Sequence, residues 1–380
     1  MHRSMLMKPE KQSIVISAVN ITDGGPLTIL QECLRSLSES PIAQKYKIIA
    51  LVHSKNKCYY NHIEYIEIPR SKKQWIFRIY YEYIYFKKLS KKIKPYLWLS
   101  LHDTTPNVTA RKRAVYMHNA SPFHAWKWRD IYFNYKYVCF ALFYKYLYKI
   151  NIKKNDFLIV QQDWLRKEFS QMFNFPKEQI IVNRPQNTTA KHSVPILKHN
   201  EAEPNLFRFI FISLVRPFKN FEVICEAVRI LNKKHPDGFE VVLTLNGTEN
   251  RYAKWLYNKY KDTKNIRFTG LIPHEKIDEY YQISDCMIFP SKLETWGLPI
   301  SEYATYNRPI IAADLPYAYE TAAGHDLTAF FNPDNPEELA ELMLNAMNAH
   351  FERFGSIPQI TNSPLLINGF PKLLEVLLQD

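Results

Sequence analysis

The chain has 380 residues and a formal net charge of +13, and because this length is long for a single hydrophobic core, two domains are expected. Hydrophobic residues make up 46% of the chain and charged residues 23%, a balance that is typical of globular proteins. The most apolar stretch, 137–150, is too short to span a bilayer and contains a lysine, which excludes it as a transmembrane helix.

The five cysteines show neither paired nor metal-type spacing. The first ten residues are polar, and they show no signal-peptide pattern. We therefore expect a protein of a reducing, cytoplasmic compartment whose cysteines serve as small core residues.

Positive charge is concentrated in the first half of the chain. Residues 1–200 carry 33 Lys and Arg against 13 Asp and Glu, whereas residues 201–380 carry 17 against 24. The segment 70–96, called the basic segment below, holds nine basic residues and one acidic residue among aromatic and aliphatic side chains. Three interpretations fit it: a solvated helix surface, a site for single-stranded nucleic acid, and a face that docks on an anionic membrane.

Ten short apolar runs alternate with helix-like segments, and their continuous Val, Ile and Phe content predicts parallel strands buried on both faces. In chain order the runs are 13–19, 48–52, 96–101, 114–117 and 156–160, then 209–214, 239–245, 266–269, 285–289 and 309–313. The polar, unpatterned stretch 186–205 predicts a linker. The sequence therefore predicts an α/β protein with two doubly wound, Rossmann-like domains, 10–190 and 205–350, that face each other across a cleft. A helix in the C-terminal segment 351–380 is expected to pack back towards the first domain.

Ligands of such sheets bind beyond the carboxyl ends of the strands, so the loops that follow the runs are the candidate sites. The loop "NITDGGP" after the first run places Gly24 and Gly25 where a backbone can approach phosphate groups, although a simple tight turn explains the same pair. The loop "HDTTP" carries His102 and Asp103 after the third run, and "HNASPF" carries His118 after the fourth.

The most informative loop is "PSKLETWGLPISEYA", 290–304, which follows the apolar run 285–289. Gly297 and Pro299 indicate a turn and a helix start, whose free N–H groups attract an anion. Two glutamates eight positions apart have little specificity alone, but here Glu302 falls in the first helical turn and suits a ribose diol. Glu294, in the preceding loop, suits sugar hydroxyl groups.

The sequence 290–320, "PSKLETWGLPISEYATYNRPIIAADLPYAYE", resembles the donor-binding block of the retaining glycosyltransferases of family 4, the group 1 glycosyltransferases with the GT-B fold. The family pattern is a strand, Pro-Ser, a glutamate, a Gly-Leu turn, a second glutamate on a helix, and a strand that ends near Asp314. The likeness extends through "NIRFTGLIPHEKIDEYYQISD" and "LTAFFNPDNPEELAELM" and so covers nearly all of the second domain. In the first domain it depends on "DGGP" and "MHNASPF".

The resemblance implies roles for residues of the second domain. Glu302 matches the glutamate that binds the ribose, and Glu294 matches the one beside the donor sugar. The backbone of Trp296, Gly297 and Leu298 is expected to contact sugar and phosphate.

The loop "RPFKN" and the first domain supply the other matches. Lys219 matches the lysine that neutralises the diphosphate. The position of the family arginine holds Leu214, so Arg216, two positions later, is the candidate replacement; the alternative is an ordinary basic helix start. His118 matches the histidine near the outer hydroxyls of the donor sugar, and His102 and Asp103 are candidates for the acceptor side, with a structural role as the alternative.

The resemblance implies a cytoplasmic glycosyltransferase that moves a sugar with retention from a nucleotide diphosphate sugar to a glycan or lipid-linked acceptor. Its catalytic residues would be Glu294, His118, Lys219 and Arg216. No Asp-x-Asp element or metal-type cluster is present, so we expect neither a metal nor a cofactor.

The expected setting is bacterial surface polysaccharide biosynthesis: O-antigen, capsule or exopolysaccharide. The first domain would bind the acceptor and associate peripherally with the inner face of the cell membrane through the basic segment. The second domain would bind the donor, and no nucleic acid is expected as a partner.

Two other functions fit parts of the sequence. A nucleotide-sugar epimerase with the GT-B fold would use the same donor residues but would act on the donor alone. A basic nucleic-acid-binding protein without catalysis would explain the charge of the first half, but it would leave the 290–320 block unexplained.

Overall fold

The computed structural model describes residues 11–185, 206–359 and 365–379. These residues form two compact units. The first unit holds 11–122, 143–185 and 365–379, and the second holds 123–142 and 206–359. The predicted linker, 186–205, lies outside the described residues.

The described residues form fourteen β-strands. In the first half of the chain they are β1 (Ser13–Ala18), β2 (Lys47–Val52), β3 (Ile63–Glu67), β4 (Leu97–Ser100), β5 (Lys112–Tyr116), β6 (Phe157–Val160) and β7 (Ile180–Arg184). In the second half they are β8 (Phe207–Phe211), β9 (Phe239–Leu243), β10 (Ile266–Phe268), β11 (Cys286–Phe289), β12 (Ile310–Ala313), β13 (Thr328–Phe331) and β14 (Leu366–Asn368).

Thirteen α-helices connect these strands in the described part of the chain. The first six are α1 (Gly24–Glu39), α2 (Ile42–Lys45), α3 (Trp75–Tyr80), α4 (Phe86–Ile93), α5 (Trp128–Lys149) and α6 (Asp163–Phe173). The others are α7 (Phe221–Asn232), α8 (Arg251–Tyr260), α9 (Ile277–Gln282), α10 (Leu298–Tyr303), α11 (Pro316–Thr321), α12 (Pro336–Met347) and α13 (Gly369–Leu378). A π-helical turn, Tyr81–Tyr85, joins α3 to α4.

Each unit is built on one parallel sheet. The strand order is β14-β7-β6-β5-β4-β1-β2-β3 in the first unit and β10-β9-β8-β11-β12-β13 in the second. Every strand pair in both sheets is parallel. The prediction of two parallel α/β sheets is confirmed, and each of the ten predicted runs overlaps a strand.

Strand β1 shows why these sheets are covered on both faces. Its residues Ile14 and Ile16 pack in a cluster that includes residues of α1 and α13. The intervening Val15 packs on the other face, in a cluster with Phe86 of α4 and Trp98 of β4. Successive side chains of a strand point to opposite faces, so an unbroken apolar run is what helices on both sides require.

Four strands were missed by the sequence analysis: β3, β7, β13 and β14. β3, "IEYIE", lies at the sheet edge and is only partly buried, and its two glutamates interrupt the apolar run. β14, "LIN", and β13, "TAFF", are edge strands as well, and neither shows a continuous run of Val, Ile and Phe. β7, "IIVNR", has the same Ile/Val pattern as the others and could have been found.

The two units differ from the predicted domain boundaries at two segments, 123–142 and 351–359, and the second of these belongs to the second unit and not to a separate C-terminal segment. Residues 123–142, including the first part of α5, belong to the second unit. Phe133 explains this placement, because its ring centroid lies 5.2 Å from that of Tyr252 and 5.3 Å from that of Trp255. Arg129 also forms an ion pair with the buried Glu222. These contacts join residues far apart in the chain.

The C-terminal end of the chain belongs to the first unit. Strand β14 pairs with β7, and α13 packs against α1. Phe370, Leu373 and Leu374 of α13 are fully buried in the cluster that also holds residues of β1 and β2. The C-terminal helix is therefore part of the first hydrophobic core.

Candidate functional site

The loop after β11 turns sharply before it enters α10. Gly297 precedes this helix with a φ of 91°, in the left-handed region that side chains with a Cβ atom avoid. Pro299 lies in the first helical turn, where a missing N–H group costs nothing. The glycine and the proline therefore fix where the chain changes direction, and with it the positions of Glu294 before the turn and Glu302 after it.

The three predicted backbone contacts are not equally accessible. The carbonyl of Trp296 accepts a hydrogen bond from the Thr321 hydroxyl, and the indole Nε1 lies 3.2 Å from the Ser301 Oγ atom, so this residue is held inside the unit. The Gly297 carbonyl accepts from the Ile300 N–H at 2.9 Å. Contact of the Gly297 and Leu298 backbone with sugar and phosphate stays a prediction.

Glu302 lies on α10 beside a small pocket that His274, Ile277, Tyr281 and Tyr306 also line. One of its carboxylate oxygens accepts a hydrogen bond from the Tyr281 hydroxyl at 3.3 Å. Burial raises the pKa of Glu302, and the nearby His274 and the Tyr281 hydrogen bond oppose that increase. A mostly buried carboxylate with one hydrogen-bond donor has capacity to accept further hydrogen bonds, as a ribose diol would require.

Glu294 forms an ion pair with Lys219. The two residues come from the loops that follow β11 and β8, and these two strands are neighbours in the sheet. Both side chains are largely buried, with 13% of Glu294 and 16% of Lys219 exposed. The structure thus brings together two residues 75 positions apart in the sequence, at the carboxyl ends of adjacent parallel strands, where ligands of such sheets bind.

Asn220 holds these two loops together and was missed by the sequence analysis. Its Nδ2 atom donates to the carbonyl of Pro290 at 3.3 Å and to that of Pro333 at 2.7 Å. Its φ of 59° is one that asparagine tolerates better than most residues. The Lys292 N–H donates to the Phe218 carbonyl at 2.7 Å and adds a second link. The sequence contained a signal for this conformation, because the residue between the turn and the helix is an asparagine, which adopts a left-handed backbone more often than most residues.

In the first unit, the predicted glycines begin helix α1. Gly24 has a φ of 67°, which explains why glycine occupies this position. A Cβ atom added at Gly25 would meet no atom within 4 Å, so the space at the start of this 16-residue helix is open. The N–H groups at this end have no intrahelical acceptor and can contact a ligand.

His118 and Asp103 line one pocket of the first unit. The backbone N–H of His118 donates to Asp103 Oδ1, as does that of Asn119 at 3.0 Å. Burial raises the pKa of Asp103 to about 6, although these hydrogen bonds lower it. Burial lowers the pKa of His118 to about 3, so its imidazole is neutral at neutral pH.

The ring of His102 is held inside the first unit. Its Nε2 atom lies 2.9 Å from Ser17 Oγ, its Nδ1 atom lies 3.0 Å from Thr104 Oγ1, and the carboxylate of Glu82 is 3.4 Å away. Both ring nitrogens therefore have partners inside the unit, as the structural alternative requires. His102 also lines the pocket of Asp103 and His118, so its place on the acceptor side stays a prediction.

The basic segment forms the helical run from α3 to α4. Lys87, Lys88, Lys91 and Lys92 are exposed on α4. Arg78, which the sequence placed on the same charged surface, is instead mostly buried in an ion pair with Glu82, 2.8 Å from Nε to the carboxylate. The π-helical turn that starts at Tyr81 changes the rotation between the two helices, so a single helical period does not describe the run.

Part of the chain matches the model of a known protein family. Residues 196–353 match the family model described as "Glycosyl transferases group 1". These residues, called the glycosyltransferase domain below, are therefore similar to the group 1 glycosyltransferases. The domain includes Lys219, Glu294 and Glu302, and the sequence-based assignment to this family is confirmed.

Two curated relatives and one solved structure are similar to longer parts of the chain. O-antigen chain mannosyltransferase B of Escherichia coli is 20% identical over 199 residues, 50% of this chain and 51% of that protein. O-antigen chain mannosyltransferase RfbU of Salmonella typhimurium is 22% identical over 274 residues, 70% of each chain. HepE of Anabaena, solved in complex with UDP-glucose, superposes with a TM-score of 0.57 at 14% identity, covering 90% of this chain and 95% of HepE.

The match to the E. coli relative therefore spans about half of that protein's length. The structural likeness covers both units of this chain, and with the two parallel sheets it shows the GT-B fold predicted from the sequence.

In the glycosyltransferase domain, Arg216 precedes the short helical turn Pro217–Lys219, and its carbonyl accepts the Lys219 N–H at 3.0 Å. The Arg216 side chain is exposed, as is that of Leu214. The structure places Arg216 on the same loop as Lys219 but records no contact between its side chain and the Lys219–Glu294 pair. Its role at a phosphate stays a prediction.

Within 11–185, 206–359 and 365–379, no group of three or more His, Cys, Asp or Glu side chains is arranged to hold a metal ion. In the same part of the chain, no helix combines the length and the apolar character needed to cross a bilayer.

Proposed function

We propose that this chain transfers a sugar, with retention of anomeric configuration and without a metal, from a nucleotide diphosphate sugar to a glycan or lipid-linked acceptor of bacterial surface polysaccharide biosynthesis. The observation that carries the proposal is the buried Lys219–Glu294 pair in the glycosyltransferase domain. The two O-antigen mannosyltransferases and the UDP-glucose complex of HepE support the reaction class and the class of donor.

In this proposal Lys219 changes partners when the donor binds. A lysine in a largely buried position needs a negative partner, because an uncompensated buried charge is strongly destabilising. In the free protein Glu294 supplies that partner. The diphosphate of the donor would take over this role, and Glu294 would then accept hydrogen bonds from the sugar hydroxyls.

Bond cleavage would follow from charge stabilisation. As the bond between the sugar and the diphosphate breaks, negative charge grows on the leaving phosphate, and Lys219 stabilises it with the N–H groups of Gly297 and Leu298. The acceptor hydroxyl would enter from the face that the phosphate leaves, and the phosphate would take its proton. This route retains the anomeric configuration and needs no protein nucleophile.

A panel of nucleotide sugars tests this proposal against its alternatives. We expect slow release of free nucleoside diphosphate from one of them, and faster release when an acceptor is present. Appearance of a new sugar epimer that is still attached to the nucleotide would identify an epimerase instead. A chain that neither releases nucleotide nor alters any sugar in the panel would contradict both enzymatic functions.

Activity should survive chelation. Lys219 and backbone N–H groups are proposed to meet the charge of the diphosphate, so treatment with EDTA should leave nucleotide release from the preferred donor nearly unchanged. The measurement is the rate of release with and without EDTA. Complete loss of activity that magnesium or manganese restores would contradict the proposed metal-free handling of the diphosphate.

We also propose that the first unit binds the acceptor and docks on the inner face of the cell membrane through the basic segment. Its α3 exposes apolar side chains, with Ile76 68% and Trp75 49% exposed, and the following α4 exposes four lysines. Apolar and aromatic groups beside a row of lysines suit an anionic lipid surface. A surface that is only solvated would not explain the exposed Trp75 and Ile76. Binding of nucleic acid, the remaining interpretation, is one of the results that the test can give.

The change of Lys87, Lys88, Lys91 and Lys92 to Gln should abolish sedimentation with vesicles that contain anionic lipid. Each lysine near such a surface contributes about 1 kcal/mol, so the loss should be several kcal/mol, and binding should also weaken with salt. Donor affinity should not change, because these lysines lie outside the glycosyltransferase domain. Turnover on a lipid-linked acceptor should fall with binding.

A matched variant separates a docking face from net charge. Lys45, Lys153, Lys154 and Lys177 are exposed in the same unit, and their change to Gln removes the same charge from scattered positions. This variant should keep most of the vesicle binding. Equal losses in both variants, or tight binding of single-stranded DNA at physiological salt without preference for anionic vesicles, would contradict the membrane proposal.

A further inference from the structure

The pocket that Asp103 and His118 line in the first unit is bordered by side chains with unpartnered polar atoms. It has a volume of about 220 Å³ and is lined by residues that follow β1, β4 and β5, among them Asn20, Asp103 and His118. A water molecule occupies about 30 Å³ of liquid, so the pocket has room for a larger ligand. Since the loops come from the carboxyl ends of neighbouring strands, the pocket lies where this fold binds ligands.

Asn20 is the most unusual of these residues. Both its Oδ1 and its Nδ2 atom are buried, and neither has a hydrogen-bond partner. A buried amide without partners is costly, and such groups in native structures call for an explanation. An explanation within the fold is missing here, because the side chain stabilises no turn and caps no helix. A ligand in the pocket would supply the partners.

His118, which lines the same pocket, carries another unpartnered atom. Its Nε2 atom is buried without a partner, and its ring stacks on Tyr116 with centroids 4.6 Å apart. A hydrogen bond to the backbone of Leu101 engages the ring, and this bond must use Nδ1 because Nε2 is unpaired. The neutral imidazole therefore offers Nε2 as an acceptor for a hydroxyl donor.

Asp103 adds a strained acceptor to this set. Its φ of 64° is uncommon for a residue other than glycine, and such strain is concentrated at functional sites. Oδ1 accepts the N–H groups of His118 and Asn119, which fixes the carboxylate in the pocket wall.

The charges around the pocket disfavour an anionic ligand. Arg78 is paired with Glu82, and its other N–H groups donate to the Tyr144 hydroxyl at 3.2 Å, the His102 carbonyl at 3.1 Å and Thr104 Oγ1 at 3.3 Å. Lys72 donates to Thr22 Oγ1 and lies 3.6 Å from the carboxylate of Asp23. Both cations therefore have carboxylate partners, and the unpaired atoms belong to neutral groups.

We infer that Asn20, Asp103 and His118 form a binding site for the hydroxyl groups of a neutral sugar ring, in which Asn20 determines specificity. The carboxylate and the imidazole nitrogen accept hydrogen bonds from hydroxyls, and the Asn20 amide both donates and accepts. An amide that pairs with two adjacent hydroxyls discriminates against a sugar in which one of them is inverted, because a buried polar group is then left unpaired. The inference rests on the proposed glycosyl transfer, and the ring can belong to the donor or to the acceptor.

The test is Asn20→Ala in the full chain, with Asn56→Ala as the matched control because Asn56 is exposed in the same unit. Since Asn20 makes no hydrogen bond in the free protein, its removal should not lower the temperature of unfolding. The affinity for free nucleoside diphosphate should also stay unchanged. The KM of one sugar substrate should rise about 3- to 30-fold, the range expected for lost hydrogen bonds.

The affected substrate identifies the source of the ring. A higher KM for the nucleotide sugar in acceptor-free hydrolysis assigns the ring to the donor, and a higher KM for the acceptor alone assigns it to the acceptor. Either result supports the inference, as does a changed order of preference among epimeric sugars. Unchanged KM values in an active enzyme, or a lower unfolding temperature with unchanged KM, would overturn it. An inactive wild-type chain would instead count against the proposed function. Saturation-transfer NMR with methyl mannoside, galactoside and glucoside would then test the sugar site by itself. Sugar binding that is lost in Asn20→Ala supports the inference, and sugar binding that is absent from wild type or unchanged in the variant overturns it.

Discussion

Glu294→Gln should lower kcat about 100-fold while the affinity for free nucleoside diphosphate stays nearly unchanged. The glutamine keeps the shape of the side chain and can still contact Lys219. It removes the negative charge that is proposed to face the donor sugar. Loss of one group that stabilises a transition state typically costs a hundredfold or more in kcat. The measurement pairs the rate of nucleotide release with calorimetric titration of the nucleoside diphosphate.

The control for this variant is Glu352→Gln, which removes an exposed carboxylate from the same unit. It should leave both quantities unchanged. If Glu294→Gln weakens nucleotide binding as much as it slows turnover, Glu294 contacts the nucleotide, and the roles of Glu294 and Glu302 are assigned wrongly.

Glu302→Ala should weaken binding of the nucleotide sugar and of the free nucleoside diphosphate by the same factor. A charged acceptor that pairs with a buried diol contributes about 1.5–3 kcal/mol, which corresponds to roughly a ten- to hundredfold change in affinity. Titration calorimetry measures both ligands. The 2′-deoxynucleoside diphosphate provides a sharper comparison, because it lacks one of the two ribose hydroxyls that Glu302 is proposed to bind. It should bind the wild-type protein weakly, and Glu302→Ala should reduce its affinity only a little further.

The pH dependence of binding gives an independent check on Glu302. Burial raises the pKa of this carboxyl, and only its ionised form accepts two hydrogen bonds from a diol. Affinity should therefore fall as the pH drops through the raised pKa. The phosphate groups of the ligand also titrate, but they affect the wild-type protein and Glu302→Gln equally. The ratio of the two affinities therefore reports the titration of Glu302 alone. A ratio that is constant with pH, or equal loss for ribose and deoxyribose ligands, would exclude Glu302 from the ribose site.

Much of the fold could be predicted from the sequence, because its central strands are buried on both faces. Such strands need continuous apolar runs, and all ten runs correspond to strands of the two parallel sheets. The edge strands β3, β13 and β14 lack such continuous runs and were missed. The place of residues 123–142 in the second unit depends on contacts of Phe133 and Arg129 with residues about 90 to 120 positions away, which no local pattern encodes.

The candidate site was only partly predictable for the same reason. The Gly-Leu-Pro turn is local, so the positions of Glu294 and Glu302 around it could be read from the sequence. Burial of Arg78 depends on Glu82, on Tyr144 and on a π-helical turn, and a count of charges cannot show it. The unpartnered amide of Asn20 is likewise visible only when every neighbouring hydrogen bond is known.

The glycosyltransferase domain is proposed to bind a nucleotide through its diphosphate, and titration of the wild-type protein with UDP, GDP and ADP, each beside its monophosphate, measures this binding. One of the diphosphates should bind. Its monophosphate should bind at least about tenfold more weakly, because it lacks the second phosphate group that would replace Glu294 beside Lys219. If none of the three diphosphates binds, or if a diphosphate and its monophosphate bind equally, Lys219 does not hold a diphosphate.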